Sequence, residues 1–123
     1  MLRMYDTLEN KLNRFHKAFG HPIRKKFSVE DSQLSLALIQ EEFKELIEAV
    51  EKGEIPEIKK ELVDLMYVCV SMCVRYGWNL SVMFTLIHNS NMTKLDDNGK
   101  PIYREDGKIL KSNNYLPVDL TKL

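Results

Sequence analysis

Five acidic residues fall on or beside apolar helical stripes, where an ordinary helical protein would carry Leu or Ile. Glu42 lies three residues after Ile39 and four before Leu46, while Glu45 lies seven after Leu38 and four before Ala49. On a helix these spacings make Glu42 and Glu45 neighbours along the inward side, with Glu41 on the flank. Asp64 interrupts the apolar run from Leu62 to Val70, and Glu61 sits three residues earlier on the same side. An antiparallel hairpin of two helices sets one acidic pair against the other. Carboxylates taken out of water must be protonated, ion-paired or bound to metal. An all-oxygen donor set without Cys or His favours Mg²⁺, with Mn²⁺ as a substitute, over Zn²⁺, and Mg²⁺ completes its shell with waters and phosphates. Such a centre can polarise a phosphoryl oxygen and neutralise departing pyrophosphate, with Glu41 orienting or deprotonating a water. A solvated face is the competing explanation. Lys60 and Asp64, like Lys44 and Glu48, have the four-residue spacing of ordinary surface ion pairs, and Glu48, Glu51 and Glu54 read as solvent-facing.

These residues need elements to hold them. Leu8, Leu12, Phe15 and Phe19 recur at helical spacing before Gly20 and Pro22, which predicts a first helix over about residues 5–19. A basic loop, 21–29, follows. Asp31 or Ser32 can cap a second helix that runs to about Glu51 and stops at Gly53, with Leu34, Leu38, Ile39, Leu46 and Val50 as its apolar stripe. Pro56 belongs near the first turn of a third helix ending at Tyr76 and Gly77. Its seam is expected through Ile58, Leu62, Leu65, Cys69, Met72 and Tyr76. Asn79 or Ser81 can cap a fourth helix that fades between Asn91 and Lys94. Beyond Asp96 the turn formers Asn98-Gly99, Pro101, Asp106-Gly107 and Pro117 end helical structure, and Ile102-Tyr103 can pair with Ile109-Leu110 as a short hairpin. The expected architecture is all-α: a four- to five-helix bundle of helical hairpins forming a single domain over 1–123, with a helical core of about 5–94 and an irregular tail of about 95–123.

Composition narrows the classes. The chain has 123 residues, 44 % of them hydrophobic and 29 % charged, with five Gly and four Pro, which excludes collagen-like, low-complexity and disordered classes. No apolar stretch reaches the ~20 residues a membrane helix needs, and the first residues lack a secretory pattern, so a cytoplasmic protein without a membrane partner is expected. The net charge is zero but unevenly spread. Residues 1–30 carry seven Lys/Arg against three acids, and residues 41–64 carry nine acids against four Lys. With no clustered basic block, a stable nucleic-acid partner is not expected. Cys69 and Cys73, four apart, read as small apolar groups packed in a buried helix rather than as a disulfide. Trp78 and Tyr103 can stack on a base or simply pack. His16, His21 and His88 are isolated, and none is assigned a catalytic role.

The string Glu41-Glu42-Phe43-Lys44-Glu45, with Glu61-Leu62-Val63-Asp64, resembles the EExxE and ExxD signature of the MazG-like all-α nucleoside triphosphate pyrophosphohydrolases. The segments 15–20 and 39–42, Ser90-Asn91-Met92-Thr93-Lys94 and the tail from Gly99 to Leu120 resemble the branch related to phosphoribosyl-ATP pyrophosphohydrolase, which includes a dUTP-hydrolysing member. Thr93 stands where that branch often has Ser. This resemblance implies hydrolysis of a nucleoside triphosphate between the α- and β-phosphates, and assembly as a homodimer or a dimer of dimers. It also implies Glu42, Glu45, Glu61 and Asp64 as Mg²⁺ ligands and Glu41 as a further ligand or water activator. Asn91, Lys94, Lys111 and Tyr115 are implied as substrate contacts. Two alternatives stand beside it: phosphoribosyl-ATP pyrophosphohydrolase itself, and a non-catalytic helical dimer acting as an adaptor.

Overall fold

Thr7 opens the first helix by accepting a hydrogen bond from the Asn10 amide at 3.0 Å, and a left-handed Gly20 closes it. In the computed structural model, which describes residues 6–123, this helix is α1 (Leu8–Phe19). It is followed by α2 (Gln33–Lys52), α3 (Ile55–Tyr76), α4 (Leu80–Met92) and the strands β1 (Ile102–Tyr103) and β2 (Ile109–Leu110). The architecture is all-α apart from the two-strand ribbon. An expected start of α1 at residue 5 lies outside the described residues. Gly53 and Gly77 end α2 and α3 in left-handed conformations, and Pro56 falls in the first turn of α3, as its missing amide allows. Ser32 precedes α2 without capping it; its hydroxyl donates to the Val29 carbonyl instead.

One compact unit ends at Trp78. Within it α2 and α3 form the hairpin that carries the acidic residues, and α1 packs on α3. The core there is small: Leu12, Ala49, Val70, Val74 and Tyr76 are buried, together with His16. The Pro22 carbonyl can only accept, so His16 Nδ1 carries the proton in that 2.7 Å bond, and the ring's Nε2 lies 2.6 Å from the Ser71 hydroxyl, tying α1 to α3. A loop then returns to the end of α3. Arg24 and Lys25 amides donate to the Val74 and Arg75 carbonyls, satisfying two of the helix's last acceptors. Arg24 takes φ 55° to do so, and its side chain fills the space over Gly77, where an added Cβ would sit 2.9 Å from Arg24 Cγ.

The expected seam of α3 is corrected by its packing. Leu62 is 48 % exposed and Cys69 is exposed, whereas Val70 and Val74 are buried. The cause is that α3 serves two neighbours: Tyr67 and Ser71 face α1, and Val70 and Val74 lie on that side by helical spacing. Cys69 is therefore not the packed core residue expected. On α2, Leu34, Leu38 and Val50 are likewise exposed, and only Ile39 and Leu46 of the expected stripe are half-buried.

The second unit runs from Asn79 to Leu123. Asn79 caps α4 by accepting from the Val82 amide. The ribbon is antiparallel, pairing Ile102 with Leu110 and Tyr103 with Ile109 around the Asp106-Gly107 turn. Its tail is fastened to α4 by hydroxyls: Ser90 donates to the Leu116 carbonyl at 2.6 Å, and Thr93 accepts from the Leu116 amide at 2.8 Å.

Candidate functional site

Helical spacing on α2 and α3 brings three carboxylates together. Oxygens of Glu42, Glu45 and Glu61 all lie within 4.8 Å of one another. Glu61 is only 8 % exposed, an unusual place for an acid. One oxygen of Glu42 and one of Glu61, both Oε2, are sealed from solvent with no hydrogen-bond partner. The proton shared with Glu61, then the charge of Glu42, hold the Glu45 carboxyl up at about 7. Three acids thus share one small space, and two of their buried oxygens have no hydrogen-bond partner. This donor set, all oxygen and short of positive charge, fits a hard divalent cation.

The remaining predicted residues fall differently. Asp64 is not in the cluster; its Oδ2 accepts from the Lys60 ammonium at 2.8 Å, and the same ammonium lies 3.4 Å from Glu61 Oε1. Lys60 is the local counter-charge, bridging Asp64 to the edge of the three glutamates. Glu41 is exposed on α2. Next to the cluster, Glu45 and Glu61 line a cavity of about 220 Å³ with Glu48, Ala49, Lys52, Glu54 and Glu57. Glu48 and Glu54 were expected to be merely solvated. Their position beside the cluster follows from Glu48 standing one helical turn after Glu45, and from the short turn that folds Glu54 back.

In the second unit Asn91 is exposed at the end of α4 and Lys94 is half-buried one turn later. Lys111 lies over the Tyr115 ring at 4.7 Å, a cation–π contact that keeps its ammonium on the surface. Ser90, noted in the sequence only as part of a string, and Thr93, noted there as standing in place of Ser, are the residues that anchor the tail. Trp78 packs against Phe27 and Tyr76 at 5.8 and 5.1 Å, past the end of α3 and beyond about 22 Å of helix rise from Glu61, too far to stack on a ligand held at the glutamates.

The family model of phosphoribosyl-ATP pyrophosphohydrolase matches residues 12–91, which include α1 from Leu12, the whole acidic hairpin and nearly all of α4. The chain belongs to the phosphoribosyl-ATP pyrophosphohydrolase family. An uncharacterized protein of Acanthamoeba polyphaga mimivirus is 27 % identical over 108 residues, a match covering 82 % of this chain and 41 % of that protein. The chain therefore spans about two fifths of the length of this curated relative. Glu42, Glu45 and Glu61 all fall within the matched residues. No helix among the described residues is long and apolar enough to cross a membrane.

Proposed function

We propose that the protein is a Mg²⁺-dependent nucleoside triphosphate pyrophosphohydrolase that releases pyrophosphate and a nucleoside monophosphate, with dUTP among its candidate substrates. The observation that carries this is the trio Glu42, Glu45 and Glu61 with its two sealed, unpartnered oxygens, in a chain of this family. Glu42, Glu45 and Glu61 would hold the ion, joined by Asp64 once Lys60 yields it. A bound divalent ion supplies Lewis-acid polarisation of a phosphoryl oxygen and charge neutralisation. The protein's own part is to gather the carboxylates, give up the proton on Glu45, and offer Lys60 as a cation beside the phosphates. Glu41 is assigned to orient or deprotonate the attacking water. Asn91, Lys94, Lys111 and Tyr115 are assigned to contact the substrate, the two lysines as point charges for phosphate.

Assembly as a homodimer or dimer of dimers is part of the proposal. It is supported by the apolar surface left open on α2 and α3, where Phe43, Val50, Ile55 and Met66 are each about half exposed. A cytoplasmic location and action as one domain over 1–123 complete it. A second reading, phosphoribosyl-ATP as the substrate, is favoured by the description of the matched family. Pyrophosphate release measured on a panel of canonical and modified nucleoside triphosphates and phosphoribosyl-ATP, with Mg²⁺, Mn²⁺ or EDTA, separates these. Metal-dependent release from one or a few substrates is expected. Absence of release from all of them, with no metal-induced rise in melting temperature, would leave a non-catalytic helical adaptor as the better description.

A further inference from the structure

Among the described residues, Lys60 is the one cation that pairs with the acidic site: no other Lys, Arg or His forms an ion pair with Glu42, Glu45, Glu61 or Asp64. Its ammonium donates to Asp64 Oδ2 at 2.8 Å and lies 3.4 Å from Glu61 Oε1. The other oxygen of Glu61, Oε2, is sealed without a partner. One carboxylate of the trio and the acid outside it therefore share a single ammonium. The grip is loose. The Lys60 side chain is 61 % exposed, and exposed pairs at four-residue spacing hold weakly. A flexible stem lets the ammonium swing away while the helix stays in place.

The two roles open to Asp64 exclude one another. While the ammonium holds Asp64, the negative charge that an ion would use is already offset. Asp64 can join an ion only by releasing Lys60, and the freed ammonium then stays within a side-chain length of a like charge, which repels it. An anion set between the two turns that repulsion into attraction on both sides. We propose that Lys60 couples metal binding to phosphate binding: it holds Asp64 in the absence of metal, and on releasing Asp64 it pairs with a phosphate oxygen, so that each ligand binds more tightly in the presence of the other. This rests on the pyrophosphohydrolase reading and deepens it, because the site then selects a metal–polyphosphate pair over either component alone. Linkage makes the coupling reciprocal.

Two calorimetric titrations test the proposal, one with Mg²⁺ alone and one with inorganic tripolyphosphate at saturating Mg²⁺. Lys60→Met keeps the stem and removes the charge. Mg²⁺ alone should bind this variant about tenfold tighter than wild type, because a like charge a few ångströms away has gone. Tripolyphosphate should bind it about tenfold weaker, because a charged donor to phosphate has gone. The opposite signs are the signature, since a lysine that only braces the helix would move both affinities together or neither. Lys60→Arg retains the charge and should keep the tripolyphosphate affinity. Lys60→Gln repeats both titrations should circular dichroism show that Lys60→Met has lost helix. Shifts of the same sign, or none, in a protein that binds Mg²⁺ overturn the coupling and spare the metal centre. Wild-type protein that binds neither Mg²⁺ nor tripolyphosphate overturns both.

Discussion

Carboxylates meet helix α3 near each of its ends, and the two places are opposites. At its C-terminal end Asp31, from the loop before α2, receives a two-pronged Arg75 guanidinium at 2.8 Å, the Lys25 ammonium at 2.6 Å and the Tyr76 hydroxyl at 2.7 Å. Those donors, Arg75 foremost, hold the Asp31 carboxyl far below the usual carboxylate range. At the N-terminal end Glu42, Glu45 and Glu61 crowd together, two oxygens face no donor, and Glu45 is held up at about 7. Where the chain needs a strut it satisfies a carboxylate completely. Where it leaves carboxylates short of partners, it leaves the oxygen donors that the proposed metal site would use.

The largest way to test this contrast is to neutralise the crowded end. Glu45→Gln should reduce pyrophosphate release by about a thousandfold or more, roughly 4 kcal/mol of lost transition-state stabilisation. The metal-free variant should melt no lower than wild type, because a repelling charge has gone. Loss of fold in scanning calorimetry would contradict that account. At the other end Arg75→Ala strands Asp31 with Lys25 and Tyr76, and should cost about 2 kcal/mol in urea unfolding, below the usual penalty for a broken buried pair because partners remain. An unchanged midpoint would show the strut to be ornamental.

Acidity separates the two ends by sign. The folded pKa of Glu45 lies above its ordinary 4.5, so its protonated form favours the fold: metal-free stability is fullest below about pH 4.5 and declines as pH rises toward 7. Asp31 runs the other way, giving stability above its ordinary 3.8 that is lost only as pH falls well below it. Urea midpoints of metal-free protein between pH 4.5 and 7.5 should fall with pH in wild type, and this fall should flatten in Glu45→Gln. Last in size, Tyr76→Phe removes one hydroxyl donor from Asp31 and should cost about 1 kcal/mol without altering turnover.

Much of this was legible before any coordinates, because it is local. Gly20, Gly53 and Gly77 stop helices by left-handed geometry, Pro56 suits a first turn, Asn79 caps α4 and Asp106-Gly107 turns the ribbon. The gathering of Glu42, Glu45 and Glu61 follows from three- and four-residue spacing plus one tight hairpin. What spacing does not reveal is which of several partners a residue takes. Asp31 reads as a helix cap and goes instead to Arg75, 44 residues away, because a loop with Arg24 at positive φ carries it there. The seam of α3 misreads for a related reason: a helix with two neighbours has no single stripe, so Leu62 and Cys69 face outward while Val70 and Val74 are covered. Asp64 shows the same limit at the site, since its spacing equally suits the glutamates and Lys60, and without an ion the ammonium has it.

Leu116 gives its amide to the hydroxyl of Thr93, which caps α4, and its carbonyl to the hydroxyl of Ser90 in the last turn of α4, twenty-three and twenty-six residues back in the chain. The stretch between is consequently a closed lariat rather than a free end. A protease cut at the exposed Asp106-Gly107 turn would open the lariat while leaving both cut pieces tied to α4. A chain truncated before Leu116 would lose the knot itself. In hydrogen exchange the Leu116 amide should behave like an amide of the helix it grips, a slow point in a tail whose neighbours exchange quickly.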